Sequence, residues 1–285
     1  MLICDFNGIA IAAMTINKTL DENLIRHMIL NSIRMYRVKF PRKDYGDVII
    51  ACDGANSWRK EYYPQYKANR HKDRSASTFD WKEAFRILNK IREEIKETFP
   101  YKVIHLERVE ADDVIGTLVY NTQEFGNYEN CMIVSSDHDF AQLQKFDNVK
   151  QYSPSTKKLV KEPNPKLKML THIIRGDAGD GVPNVLSADN VFVESIRQTT
   201  ISAKKFDEIA DALQDTEKAK KESWYRNYER NRLMVDLEFT PDIYKQEILK
   251  SFESQDNVRS KGVKILPYLI NKKCKLLIEV ASEFI

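Results

Sequence analysis

The run Cys131-Met132-Ile133-Val134-Ser135-Ser136-Asp137-His138-Asp139-Phe140 joins a short apolar stretch, readable as a buried strand, to two acids two residues apart. Carboxylates this close repel one another unless a cation lies between them, and a divalent metal is the obvious cation. One D-x-D pair is weak by itself, because Asp139 also suits the N-cap of a helix beginning at Phe140. The pattern recurs, however. Leu2-Ile3-Cys4 ends in Asp5, Val48-Ile49-Ile50-Ala51-Cys52 ends in Asp53, and Val103-Ile104-His105-Leu106 runs on to Glu110, Asp112 and Asp113. Three acids at a helix start also suit the macrodipole, so that cluster alone is ambiguous. Asp177 and Asp180 add two more, in a Gly-rich stretch that reads equally as a plain Asp/Gly turn and lacks the spacing of an EF-hand calcium loop.

Four predicted strands that end in acid need a frame that brings their ends together. In open α/β sheets the ligand site lies outside the carboxyl ends of the parallel strands, so these acids should converge in space. The intervening patterns supply the helices. Thr19 with Glu22 forms a capping box ahead of Leu24, Ile25, Met28, Ile29 and Ile33, which predicts a crossover helix to the second strand. Ser77 and Asp80 fit a second box ahead of Trp81, Phe85, Leu88, Ile91 and Ile95, a helix ending before Pro100. Val114, Ile115, Leu118 and Val119 mark a third buried face. Val149–Tyr152 and Lys158–Val160 read as a short edge strand and hairpin arm. Past Pro163 and Pro165 the patterns are helical with turns and no convincing strand. The expected architecture is α/β, a central mostly parallel sheet flanked by helices over 1–162, with a smaller, mainly helical domain over 163–285.

With 285 residues, 42% hydrophobic and 31% charged, the chain can bury a large core. No apolar run approaches a membrane span and the N-terminus has no secretory pattern, so a soluble, cytoplasmic protein is expected. Cys4, Cys52, Cys131 and Cys274 lack metal or redox spacing, and the five histidines form no zinc pair, so any metal is oxygen-bound. Setting aside the nine clustered carboxylates leaves 33 acidic against 45 basic residues. An acidic pocket in a basic surface suits a polyanion, which makes nucleic acid the leading substrate. The stretch from Trp58 to Arg74 interleaves bases and rings, as single-strand binding requires, though a solvated basic loop fits its composition equally well.

In order and spacing these motifs resemble the flap endonuclease and 5′-nuclease family, most closely its T-even bacteriophage members. The carriers are Asp5, Asp53, Glu110-Ala111-Asp112-Asp113, Ser136-Asp137-His138-Asp139, Gly176-Asp177-Ala178-Gly179-Asp180, the segment Tyr63-Pro64-Gln65-Tyr66-Lys67-Ala68-Asn69-Arg70, and Val149-Lys150-Gln151-Tyr152-Ser153-Pro154. The resemblance runs from Met1 to about Leu237. It implies a PIN-like core in which Asp53, Glu110, Asp112 and Asp137 surround a first Mg2+ with Asp5 behind. Asp113 belongs to the same metal-binding signature. Asp139, Asp177 and Asp180 would serve a second ion, and Mn2+ would substitute. It also implies an arch near 58–74 in which Lys67 and Arg70 meet the scissile phosphate, Asp5 joining them as a catalytic group, with Arg59, Lys60, Tyr66 and Lys72 as further DNA contacts. With no apolar stripe evident to dock it, this arch should be mobile until a 5′ strand arrives.

Two departures from the family stand out. After Asp180 comes Gly181-Val182-Pro183-Asn184-Val185-Leu186-Ser187-Ala188, without the later glycines of the family's helical hairpin, which implies a weak grip on duplex that glycines at 184 and 187 should restore. The short lead before Asp5 is expected to leave no room for a partner motif there. The expected activity is Mg-dependent 5′-3′ exonuclease and flap endonuclease cleavage of RNA primers and 5′ DNA ends or flaps during replication. Its substrates would be DNA and RNA–DNA duplexes with 5′ ends, flaps or nicks, and a monomer would be recruited by a single-stranded-DNA-binding protein or sliding clamp. The competing readings are a non-catalytic branched-DNA binder and a PIN-like ribonuclease acting on RNA.

Overall fold

Strand β1 (Leu2–Asp5) forms the centre of a sheet whose order is β3-β2-β1-β4-β5-β6 in the computed structural model, which describes residues 1–70, 74 and 77–285. The others are β2 (Val48–Ala51), β3 (Lys102–Ile104), β4 (Cys131–Val134), β5 (Val149–Ser153) and β6 (Lys158–Val160). All pairings are parallel except β5 with β6. Strands reading LICD, VIIA and CMIV are near-continuous apolar runs, as a sheet buried on both faces requires.

Chain contacts divide the molecule into two units. The first comprises 1–55, 80–161 and 241–285, the second 56–79 and 162–240. These contact units interleave along the sequence: 241–285 groups with the sheet, and 56–79 groups with 162–240.

In the first unit, helix α1 (Phe6–Ile16) leaves β1 directly, with Asp5 as its N-cap. Its sequence, FNGIAIAAMTI, has no polar face, so the amphipathic signal that finds other helices is missing. Helix α2 (Glu22–Lys39) is capped by Asp21, two residues past the expected Thr19, whose hydroxyl instead accepts the Asp21 N–H at 3.1 Å. Helix α3 (Trp81–Thr98) is capped by Asp80 and buries Ala84, Ile87, Leu88, Ile91 and Ile95. Each large apolar side chain so buried contributes roughly 1.5–3 kcal/mol. Arg26 of α2, itself buried, pairs with Glu94 of α3 (2.6 Å) and with Glu22 (2.6 Å). Helix α4 (Ala111–Asn121) leads from β3 towards β4.

The returning tail covers the exposed edge of β3. Gln255 accepts from the Val103 N–H (3.0 Å) and donates to the Val103 carbonyl (3.1 Å), so one side-chain amide takes the place of a neighbouring strand. Lys102 Nζ donates to the Phe252 carbonyl at 3.0 Å and to Asp256 at 2.5 Å.

The second unit contains α5 (Pro165–Arg175), α6 (Ala203–Ala212) and α7 (Tyr225–Val235). Ile174, Val185, Ile201, Ile209 and Trp224 form one core; Tyr63, Tyr66, Ile173, Val182, Met234 and Val235 form another. Between α5 and α6 no helix forms among the described residues, and the stretch is an irregular loop. No helix among the described residues is long and apolar enough to cross a membrane.

Candidate active site

The carboxyl edge of the sheet gathers the acids of the first unit. Asp5 is the last residue of β1, Asp53 follows β2 by two residues, and Asp137 follows β4 by three. Chain order reverses between β1 and β4, so Asp5 and Asp137 flank the switch point at which such sheets open a ligand crevice. Hydrogen bonds tie them together. Ser135 Oγ donates to Asp5 Oδ2 at 2.8 Å and accepts the Asp137 N–H at 3.1 Å. Asn7 donates to Asp53 Oδ2 at 2.8 Å, and the Ala111 N–H donates to Asp53 Oδ1 at 2.9 Å, which seats Asp53 against the start of α4, where Glu110 and Asp112 stand.

The loop to Glu110 is held by a close backbone approach. The Gly54 N–H donates to the Val109 carbonyl at 2.7 Å, and a Cβ at residue 54 would lie 1.9 Å from the Leu106 carbonyl oxygen. Only glycine fits there.

Asp5 carries the electrostatic signature of the cluster. Burial raises its pKa, the charges of Asp53 and Asp137 raise it further, and the Gly8 N–H and Ser135 hydroxyl pull only partly the other way, so it is pushed up to about 6. Acids that disfavour each other's ionisation this way gain from a cation among them. Every group offered is a hard oxygen, which suits Mg2+ or Mn2+ and not a thiolate- or imidazole-seeking metal.

Asp113 differs from its neighbours. It is fully buried, and its carboxylate accepts the Glu110 N–H at 2.9 Å to close a capping box on α4. Asp139 begins a 3-10 turn, Asp139–Lys145, whose cap position is His138; its own N–H donates to Asp137 Oδ1 at 2.9 Å.

Three positioning residues gave little signal in the sequence: Ser135, Asn7 and Gln151. Gln151 is buried on β5, and its amide donates to the carbonyls of Ser135 (3.1 Å) and Asp137 (2.6 Å), fixing the loop that carries Asp137. A polar residue between Val149 and Tyr152 was the available clue. Beside Asp5 and Asp137 a groove of about 540 Å3 opens, walled by Ile9, Ala13, Met28, Tyr36 and Pro154.

The second unit holds the remaining expected site residues. Asp177 and Val182 pair as a two-residue bridge (2.8 and 2.7 Å), with Asp180 on the turn between them. Burial alone would raise the Asp177 pKa, but His172, 3.3 Å away, and the amides of Asp180 and Gly179 outweigh it and hold the carboxyl below its ordinary range. Asp180, expected as a metal ligand, faces cations of the chain itself: Arg70 at 2.5 Å and Lys67 at 3.4 Å, with the Tyr66 hydroxyl at 2.9 Å.

The expected mobile arch is docked over 58–70. Trp58, Tyr63 and Tyr66 are buried, and the Tyr63 hydroxyl donates to the carbonyls of Gly181 (3.0 Å) and Asp189 (2.7 Å). The apolar stripe missing from the composition is supplied by these rings. Arg59, expected to meet DNA, is therefore a core residue whose Nε donates to the Met234 carbonyl at 3.0 Å, and Tyr66, also expected to meet DNA, has a buried ring. Lys60 and Arg70 are exposed and Lys67 is half-buried. Lys72 lies outside the described residues.

Asn184 and Ser187 are buried too. Asn184 donates to the Thr199 carbonyl (2.8 Å) and accepts from the Leu186 N–H and the Ser187 hydroxyl (both 3.0 Å), while Ser187 accepts the Thr199 N–H (2.9 Å). Side chains hold this loop where glycines were expected, so glycine at either position removes supports instead of restoring a turn.

Known proteins resemble this chain along most of its length. Residues 10–169 match the 5′-3′ exonuclease N-terminal resolvase-like domain, and residues 163–284 match the T4 RNase H C-terminal domain. Similarity thus continues well past Leu237, where the motifs fade. Ribonuclease H of Enterobacteria phage T4 is 31% identical over 99% of this chain and 95% of its own. A 5′-3′ exonuclease of Buchnera aphidicola (subsp. Schizaphis graminum) is 26% identical over 60% of this chain and 56% of its own. Among solved structures, the bacteriophage T5 D15 flap endonuclease in a pseudo-enzyme–product complex with DNA and metal ions superposes with a TM-score of 0.63, at 20% identity, over 99% of this chain and 98% of that one.

Proposed function

This chain belongs to the 5′-3′ exonuclease family, with an N-terminal resolvase-like domain and a C-terminal domain of the T4 RNase H type, and is a nuclease; from that premise we propose that it hydrolyses RNA primers and 5′ DNA ends or flaps by a two-metal mechanism with Mg2+. The observation that carries the reading is the convergence of Asp5, Asp53 and Asp137 at the carboxyl edge of one sheet, with Glu110 and Asp112 brought alongside. The Asp5 carboxyl, pushed up to about 6 by burial with the charges of Asp53 and Asp137 adding to the shift, supports placing a cation there.

Asp53, Glu110, Asp112 and Asp137 would hold one ion, with Asp5 behind them, and a second ion would complete the pair. Such a pair supplies an activated water and stabilises the leaving oxygen of a phosphodiester. The protein's own part is positional. Ser135 and Gln151 fix the Asp137 loop, Asn7 and the Ala111 N–H orient Asp53, and Asp113 holds the first turn of α4, where Glu110 and Asp112 stand. Lys67 and Arg70 meet the substrate phosphate, and the exposed Lys60 adds to the surface that holds the strand.

The phage T5 relative's complex with DNA and metal ions supports both the substrate class and the cofactor class. We place the protein's action in the host cytoplasm, as a monomer recruited by a single-stranded-DNA-binding protein or sliding clamp. Membership of a nuclease family sets aside the non-catalytic binder. The test is direct: incubate the protein with Mg2+ and 5′- or 3′-labelled flap, nicked and RNA-primed duplexes, then size the products. Short 5′ products with a 5′-phosphate are expected; cleavage confined to folded RNA would favour the plain ribonuclease.

A further inference from the structure

We propose that the Asp180 carboxylate is a built-in stand-in for a substrate phosphate: in the free protein it occupies an anion site made by Tyr66, Lys67 and Arg70, and the incoming strand displaces it. The inference rests on the nuclease reading above and adds a step to it, an exchange of partners by the two cations.

Three donors from one short stretch of chain converge on two oxygens. The Tyr66 hydroxyl donates to Oδ2 at 2.9 Å, Lys67 Nζ lies 3.4 Å from the same oxygen, and Arg70 donates to Oδ1 at 2.5 Å. A hydroxyl, an ammonium and a guanidinium around one anion is a donor set that suits phosphate oxygens as well as a carboxylate.

The backbone builds this site. The Lys67 N–H donates to the Asp180 carbonyl at 2.8 Å, and Lys67 itself adopts φ +57°, a conformation that costs a non-glycine residue energy and persists only where its surroundings hold it. Asn69 donates to the Ala178 carbonyl at 3.0 Å. Gly181, at φ +71°, lets the 65–69 stretch close on the turn, since a Cβ there would lie 3.3 Å from both the Gln65 carbonyl and Asn69 Oδ1. The Tyr66 ring is buried beside Tyr63, Ile173 and Val182, which fixes where its hydroxyl points.

The site is nevertheless open to exchange. Arg70 is 45% exposed, and a partly exposed ion pair contributes little net stability, so an arriving phosphate can take over its cations at small cost. Two cations beside one carboxylate already neutralise it, and both oppose the arrival of a further positive charge.

The experiment measures binding without cleavage. Full-length protein in EDTA is titrated into a fluorescent, 5′-phosphorylated single-stranded oligothymidylate, and anisotropy is followed for the wild type, Asp180→Asn, Lys67→Met/Arg70→Met and the triple variant. Asp180→Asn keeps the side chain's shape and an acceptor for Tyr66 while removing its charge. It should tighten binding about three- to tenfold, and that gain should vanish in the Lys67→Met/Arg70→Met background. Weaker or unchanged binding by Asp180→Asn overturns the proposal. So does an equal gain in the doubly substituted background, which would reflect net charge alone. Circular dichroism checks folding, and Asp180→Ser replaces the Asn variant if that one fails to fold. Because no metal or turnover is involved, failure here is distinguishable from failure of the nuclease reading, which the labelled-duplex assay tests separately.

Discussion

At the sheet edge of the first unit, carboxylates stand among other carboxylates, held by backbone amides, a serine and an asparagine. At the turn of the second unit, Asp180 stands among a lysine, an arginine and a tyrosine hydroxyl. The residue type is the same and the chemistry is opposite. The first arrangement brings like charges together, whereas the second pairs its carboxylate with cations. What an aspartate does is therefore decided by which charges the fold delivers to it.

The comparison is broken most forcefully at the acidic edge. Asp137→Asn should lower the single-turnover cleavage rate by about a thousandfold or more while leaving DNA affinity within about threefold, since metal chemistry and the basic surface are separate contributions. Rapid-quench kinetics beside a binding titration in Ca2+ measures both, and a near wild-type rate would remove Asp137 from the site. On the other side of the comparison, Asn184→Gly with Ser187→Gly should destabilise the protein by about 2–4 kcal/mol, because buried partners lose their hydrogen bonds. Urea unfolding reads this directly; unchanged stability together with tighter duplex binding would restore the glycine-turn expectation.

Gln151→Ala sharpens the contrast at smaller scale. Leaving the carbonyls of Ser135 and Asp137 without their donor should cost about 1–3 kcal/mol and lower turnover roughly tenfold with affinity preserved. Loss of stability with full activity in the folded fraction would show that the loop needs no such support.

The smallest expected effect is on pH. Hydrogen bonds from Lys90, Arg26 and Arg86 hold the Glu22 carboxyl down at about 2, against an ordinary value of 4.5. A depressed carboxyl contributes stability that is present above 4.5 and lost as pH falls through 2, and after solvent screening this is worth about 1 kcal/mol. Glu22→Gln should therefore flatten the acid limb of the stability profile between those values. An unaltered limb would assign acid sensitivity elsewhere.

Much of the sheet was legible because parallel strands advertise themselves as apolar runs and because Asp5, Asp53 and Asp137 stand at or within three residues of their ends. Helix α1 was not, since FNGIAIAAMTI carries no amphipathic period. The docking of Tyr63 and Tyr66 was hidden for a related reason: two rings among bases look like stacking surfaces until a partner core, here Ile173, Val182 and Met234, is known. Asp113 and Asp112 are adjacent and chemically alike, and only the turn of α4 separates the cap from the candidate ligand. The return of 241–285 to the sheet edge depends on Gln255 reaching Val103, a contact between residues more than 150 positions apart that no local pattern encodes.

The central claim is that divalent metal is held by the sheet-edge acids, and calorimetric titration tests it most directly. Metal-free protein titrated with Mn2+ should show saturable binding that Asp53→Asn weakens by at least tenfold, with the fold intact by circular dichroism. Equal Mn2+ binding by the wild type and Asp53→Asn would contradict the account.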